Sequence, residues 1–214
     1  MTKKAWNRLF KNKVWGKYPD LSLVRAIKKQ YKKGLNNKCL EVGFGGGANL
    51  SFLALENFKT YGIDHSVNAK IQTQKLLQKF KKKANLKISD CTKIPFKNNF
   101  FDLAIDCECL YSLKLDDFKQ SLIEIKRVLK YKKIFISKTF ASNSYHDGYK
   151  KKIKNEKKTF INQHGLIKRY MNKSDIYKIY GKYFKIINLE KETRTIQNNK
   201  NKIVEWTIVM KNEQ

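Results

Sequence analysis

The sequence predicts an α/β protein built on a doubly wound sheet, mostly parallel and closed by an antiparallel hairpin at its C-terminal end. Three observations predict it. Short apolar strand-like runs alternate with helical stretches between residues 38 and 140, the pattern of parallel βαβ units. Residues 38–50, Lys-Cys-Leu-Glu-Val-Gly-Phe-Gly-Gly-Gly-Ala-Asn-Leu, read as strand, tight glycine turn and helix. In doubly wound sheets that unit lies at the ligand site, beyond the carboxyl ends of the strands. Two further strand-like stretches, 184–195 and 202–210, close the chain around Asn198-Asn199-Lys200-Asn201.

Each element follows from a local pattern. Trp6, Leu9, Phe10, Val14 and Trp15 have near-helical spacing, and Gly16-Lys17-Tyr18-Pro19-Asp20 interrupts them. Asp20 or Ser22 can cap a second helix over 21–31. The first strand is 38–42, its helix reaches about Asn57, and the second strand is 60–63. A helix over 68–83, with Ile71, Leu76, Leu77 and Phe80 inward, ends in Lys81-Lys82-Lys83, where cations suit the helix dipole. Strands at 86–89 and 102–106, a helix over 116–129 and a strand at 134–140 complete the core. Residues 141–165 are polar, with six Lys between 150 and 158, and read as a lid or a disordered segment. Ser174 and Asp175 can cap a helix reaching Tyr180. The expected organisation is one domain over 1–214: a helical cap (1–34), a core (38–140), a lid or acceptor insert (141–172) and a C-terminal helix and hairpin (173–214).

Four of the ten glycines fall at 43, 45, 46 and 47. Glycine there permits positive φ and a close approach of backbone to ligand. Gly43-x-Gly45-x-x-Ala48 also fits a loose dinucleotide fingerprint. Glu41 argues against it, because a carboxylate at that strand end suits a cationic ligand better than a pyrophosphate. Asp64 ends the second strand, 21 residues past Gly43, where an acid can accept from a ribose diol.

Composition narrows the reading. The net charge is +29, from 47 basic and 18 acidic residues, but 42 of the basic residues are Lys and only five are Arg. Dedicated phosphate readers lean on the planar fork of Arg, so the excess reads first as solvation and codon bias, and second as a nucleic-acid or membrane footprint. The cysteines, at 39, 91, 107 and 109, have no spacing that indicates a disulfide framework or a zinc site. No signal core and no apolar run of about 20 residues is seen, so a cytoplasmic, reduced setting without membrane contact is expected.

In order along the chain, Glu41-Val42-Gly43-Phe44-Gly45-Gly46-Gly47, Gly62-Ile63-Asp64-His65-Ser66, Ser89-Asp90-Cys91 to Pro95-Phe96, Phe100 to Ile105, and Leu122 to Lys130 resemble the motifs of class I S-adenosylmethionine-dependent methyltransferases. The resemblance covers about residues 39–140. The turn before the fifth strand departs from it, because Lys130-Tyr131-Lys132-Lys133 has no glycine. It implies a Rossmann-like, seven-stranded sheet and S-adenosylmethionine as cofactor. It also implies roles: Gly43, Gly45 and Gly47 make room for the methionine portion, Glu41 orders the ammonium end and Asp64 holds the ribose. His65 or Ser66 borders the adenine, Asp90 accepts from its amine with Cys91 alongside, and Cys107 and Glu108 face the methionine end or the acceptor. A leading helix folds over the cofactor in similar enzymes, so Trp15 and Tyr18 either wall the site or only pack helices onto the sheet.

The acceptor region, Asp106 to Tyr111, lacks both the Asn/Asp-Pro-Pro-Tyr/Phe run of base-amine enzymes and the Pro-Cys of cytosine-C5 enzymes. Candidate bases are His146, Glu108 and Tyr111, with Tyr145 beside the acceptor. The resemblance therefore points to methyl transfer onto O, N or S of a small molecule or glycan precursor, by a monomer or homodimer. Alternatives are an RNA or ribosomal methyltransferase and a non-catalytic S-adenosylmethionine-binding module.

Overall fold

The computed structural model describes residues 2–14, 16–145 and 149–213. The central sheet runs β3-β2-β1-β4-β5-β10-β9, where β1 is Lys38–Val42, β2 Lys59–Asp64, β3 Asn85–Ile88, β4 Phe101–Cys107, β5 Leu129–Ala141, β9 Lys185–Ile196 and β10 Asn201–Lys211. β1 to β5 are parallel and β10 inserts antiparallel between β5 and β9. The expected seven strands and hairpin are therefore present. β1 and β4 are buried along nearly their whole length, which is why they read as continuous apolar runs. One core packs Leu40, Phe101, Phe118 and Phe135 on one face, and a second packs Leu23, Ile27, Leu53 and Ile136 on the other.

The helices are α1 (Thr2–Asn12), α2 (Leu21–Gln30), α3 (Ala48–Leu55), α4 (Val67–Lys79), α5 (Leu115–Val128) and α6 (Lys173–Ile179). Asp20 caps α2 by accepting from Leu23 N. α4 stops at Lys79, and Ile71 and Phe80 are exposed rather than inward. Its buried stripe is Ala69, Thr73 and Leu77, small enough for α1 to pack closely beside it. Asn172, not Ser174, caps α6, with Asp175 completing a capping box. No helix among the described residues is long and apolar enough to cross a membrane. The four cysteines are free thiols.

Two segments differ from expectation. β5 begins straight after α5, and Lys132 adopts φ +59°, filling the left-handed position where a glycine was missing. The lid segment is built as strands: β6 (Tyr149–Lys152), β7 (Thr159–Asn162) and β8 (Ile167–Met171). They form an antiparallel meander, and β8 pairs parallel to the end of β5 through Phe140 and Ala141. Ile167, Tyr170 and Met171 provide enough buried apolar surface to order the insert, despite its lysines.

Candidate active site

A cavity of about 480 Å³ lies at the carboxyl ends of β1, β2 and β4. Its wall is Glu41 with the 43–49 turn, Ile63 to His65, Ser89, Cys91, Cys107 to Cys109, Tyr111 and Ser112. Trp6 and Phe10 of α1 and residues 18–21 before α2 close it from the N-terminal side. The turn needs its glycines. Gly43 has φ +73°, and a Cβ there would collide with the Cys109 side chain. Gly47 has φ +81°, with Thr73 only 2.6 Å from where its Cβ would lie.

Glu41 is buried at 1% exposure. Its Oε1 accepts from Asn49 Nδ2 at 2.9 Å, while Oε2 has no hydrogen-bond partner. Burial, with the nearby Asp64 and Asp106 charges, pushes its carboxyl up to about 8. Asp64 accepts from Gly45 N at 3.0 Å through one oxygen and from Ser66 N at 2.8 Å through the other. Burial raises its pKa despite those bonds. His65 Nε2 is buried and lacks a partner.

Glu108 follows β4 at φ +58°, half-buried, its N–H donating to Lys138 O at 3.1 Å. Burial, then a hydrogen bond and like charge from Glu205, push its carboxyl up to about 8. Lys138, 5% exposed on β5, bonds the Asp20 carboxylate and lies 3.2 Å from Glu205 on β10. Burial opposes the charge on both Lys138 and Asp20, but their pairing outweighs it, raising the lysine and lowering the aspartate. Asp106 accepts from Cys109 N and Leu110 N and from Ser137 Oγ, organising the turn that carries Glu108 and Tyr111; burial pushes it up to about 6.

Residues 40–137 match the family described as "Methyltransferase domain". That stretch is similar to the methyltransferase domain, and the solved structures like this chain share its Rossmann-like fold. A solved S-adenosylmethionine-dependent methyltransferase from Methanosarcina mazei shares its fold, with TM-score 0.74 at 19% identity over 87% of this chain and 97% of that one. A Burkholderia thailandensis 1,6-didemethyltoxoflavin-N1-methyltransferase, solved with that acceptor and S-adenosylhomocysteine, superposes with TM-score 0.68 at 12% identity, covering 91% and 78%. An uncharacterized protein of Methanocaldococcus jannaschii is 32% identical over 120 residues, which is 54% of this chain and 47% of the relative. The chain thus spans about half the length of that curated relative.

The methyltransferase-domain match points to S-adenosylmethionine as cofactor, and the residues present fit it. The buried, unpartnered Glu41 Oε2 suits its ammonium, and the glycine cradle has no room for side chains. Glu41, Gly43, Gly45, Gly47, Asp64, His65, Cys91 and Cys107 all line the cavity, as do Glu108, Tyr111 and Tyr18. Tyr18 is a rim residue at 85% exposure.

Other expected positions are not at the wall. Ser66 is fully buried as the α4 cap, accepting from Ala69 N and donating to Asn7 Oδ1, and is off the cavity wall. Asp90 is held by Lys3 at 2.5 Å and by Thr92, off the lining between Ser89 and Cys91. Those contacts overcome its burial and lower it to about 2. Tyr145 lies off the wall, its backbone tied to Lys202 and Tyr170. Trp15 and His146 lie outside the described residues.

The sequence reading missed Asn49, Trp6, Phe10 and the Asp20–Lys138–Glu205 chain. The last left a signal: one charge stands inside each of two apolar strands, Ile134-Phe-Ile-Ser-Lys138-Thr-Phe140 and Ile203-Val-Glu205-Trp-Thr-Ile-Val209. Antiparallel register sets Glu205 opposite Phe140 and Lys138 opposite Thr207, so the two charges share one end of the strand pair.

Proposed function

We propose that the protein transfers a methyl group from S-adenosylmethionine to an O, N or S atom of a small molecule, a glycan precursor among the candidates. The observation that carries the reading is one cavity lined both by Glu41 and Asp64 and by Glu108 and Tyr111. Its volume falls in the range of about 300–1,000 Å³ typical of single-ligand sites.

When bound, S-adenosylmethionine supplies a methyl group already activated on a sulfonium. The chain's residues then position and protect. Glu41 receives the ammonium, and the free lone pairs of the Asp64 carboxylate receive the ribose hydroxyls. Trp6 and Phe10 cover the glycine turn and exclude water. Glu108 stands ready to take an acceptor proton, within a site that otherwise works by alignment.

Calorimetry tests this reading. S-adenosylmethionine and S-adenosylhomocysteine are expected to bind at micromolar strength and NAD not to bind. NAD binding without S-adenosylmethionine binding would sink it. Tight cofactor binding with no methyl transfer to any acceptor class would favour the non-catalytic module.

A further inference from the structure

We propose that the acceptor is an amine, bound as a neutral or cationic species against Glu108, with Glu205, Lys138 and Asp20 as positioning residues behind it. This rests on the methyltransferase reading and narrows it. The chain has 47 basic and 18 acidic residues, yet the described cavity wall carries Asp20, Glu41, Asp64 and Glu108 and neither Lys nor Arg. A carboxylate or phosphate acceptor would enter a dry site with no cation to receive it, facing like charge.

The four acids divide by partner. Lys138 neutralises Asp20, and Glu41 and Asp64 belong to the cofactor end. Glu108 remains for the acceptor. It keeps a left-handed backbone, a costly state for a non-glycine residue, and such strain clusters at functional sites. Its carboxyl faces Glu205, and burial together with that neighbour favours its protonated form. Lys138 is pinned behind the pair by Asp20 and Glu205. The other cation acting on Glu108, Lys168 of β8, is stationed over the Phe140 ring at 3.6 Å. Tyr111 lines the cavity beside Glu108, edge-on to Phe140 at 5.2 Å between centroids, and adds an aromatic surface that suits an ammonium.

The chemistry balances. An entering R–NH3+ gives one proton to the Glu108 carboxylate in its ionised form and becomes R–NH2. Its lone pair forms the new N–C bond as the methyl–sulfur bond breaks, with that bond's electrons passing to sulfur. The product is R–NH2–CH3+ and a neutral thioether, and the proton on Glu108 returns to solvent.

The test screens protein loaded with S-adenosylhomocysteine by thermal shift, and with labelled donor by transfer. Three panels are used: alkyl- and arylamines, carboxylic acids with phosphate monoesters, and neutral phenols with thiols. Amines are expected to raise the melting temperature of the loaded protein and to take label. Label on acids, phosphates, phenols or thiols but on no amine overturns the amine assignment while leaving methyl transfer intact. Failure to bind S-adenosylmethionine at all strikes the underlying reading instead. Glu108→Gln is expected to keep S-adenosylmethionine affinity within about twofold, showing a folded site, and to lose about 100-fold or more in kcat on the amine. Glu205→Gln removes a neighbour that resists ionisation of Glu108. It should move the acid limb of the kcat/KM profile to lower pH, and an unmoved limb refutes the positioning role.

Discussion

Glu41 occupies the one position on β1 where an apolar residue would satisfy the strand and a carboxylate does not. Its Oε2 has no partner and burial pushes it up to about 8, so the free protein holds it largely protonated at pH 7. An arriving ammonium favours the ionised form, so cofactor binding releases a proton. Affinity for S-adenosylmethionine should therefore rise between pH 6 and pH 8, approaching tenfold per unit where one full proton is released. Glu41→Gln should weaken binding at pH 8 and flatten the profile; calorimetry giving the same slope for both proteins would refute the assignment. The places of Glu41 and Asp64 on the cavity wall were legible because each stands at the carboxyl end of a strand with an apolar run, β1 and β2. Ser66 and Asp90 lie off the cavity wall because their partners, Asn7 and Lys3, come from α1, and no local pattern records that docking.

The core elements were legible because strands buried on both faces leave continuous apolar runs, as in β4. The insert was not, because its order depends on distant partners. Arg169, 3% exposed on β8, joins Glu156 at 2.7 Å, Thr159 Oγ1 and the carbonyl of Leu113 just before α5. Tyr170 packs on Phe140 and Phe160. Removing one member of a buried pair strands the other's charge, typically at a cost of about 3–5 kcal/mol. Arg169→Ala should therefore release the insert ahead of the core. Hydrogen exchange should quicken across residues 151–171 while β1, β2 and β4 stay protected and S-adenosylmethionine affinity changes little. Uniform loss of protection across the chain would show that the insert is no separate unit but part of the core's cooperative folding.

Across the whole molecule, basic residues dominate the sequence while acidic ones wall the cavity: a chain of net charge +29 encloses a site lined by Asp20, Glu41, Asp64 and Glu108. That arrangement sets how stability varies with pH. Glu41 and Glu108 rise to about 8 and Asp106 to about 6, each pushed chiefly by burial. For such groups the folded chain binds protons that the unfolded chain has already lost, so stability falls as pH climbs from the unfolded value toward the folded one. Asp20, Asp90, Asp102 and Glu124 are shifted down, and the stability they add is complete well below pH 6. Lys138 is raised, and its contribution persists until alkaline pH. Between pH 6 and pH 8 the raised carboxyls therefore decide the trend. A loss on the order of 2–4 kcal/mol is expected, which lowers the melting temperature by roughly 5–10 °C for a chain of this size. S-adenosylmethionine, by giving Glu41 a cation, should recover more of the loss at pH 8 than it adds at pH 6. Glu41→Gln should shrink both the decline and that difference. Calorimetric melts at the two pH values, with and without cofactor, decide it: a melting temperature level or rising from pH 6 to pH 8 would mean that these carboxyls are not held protonated inside the folded chain.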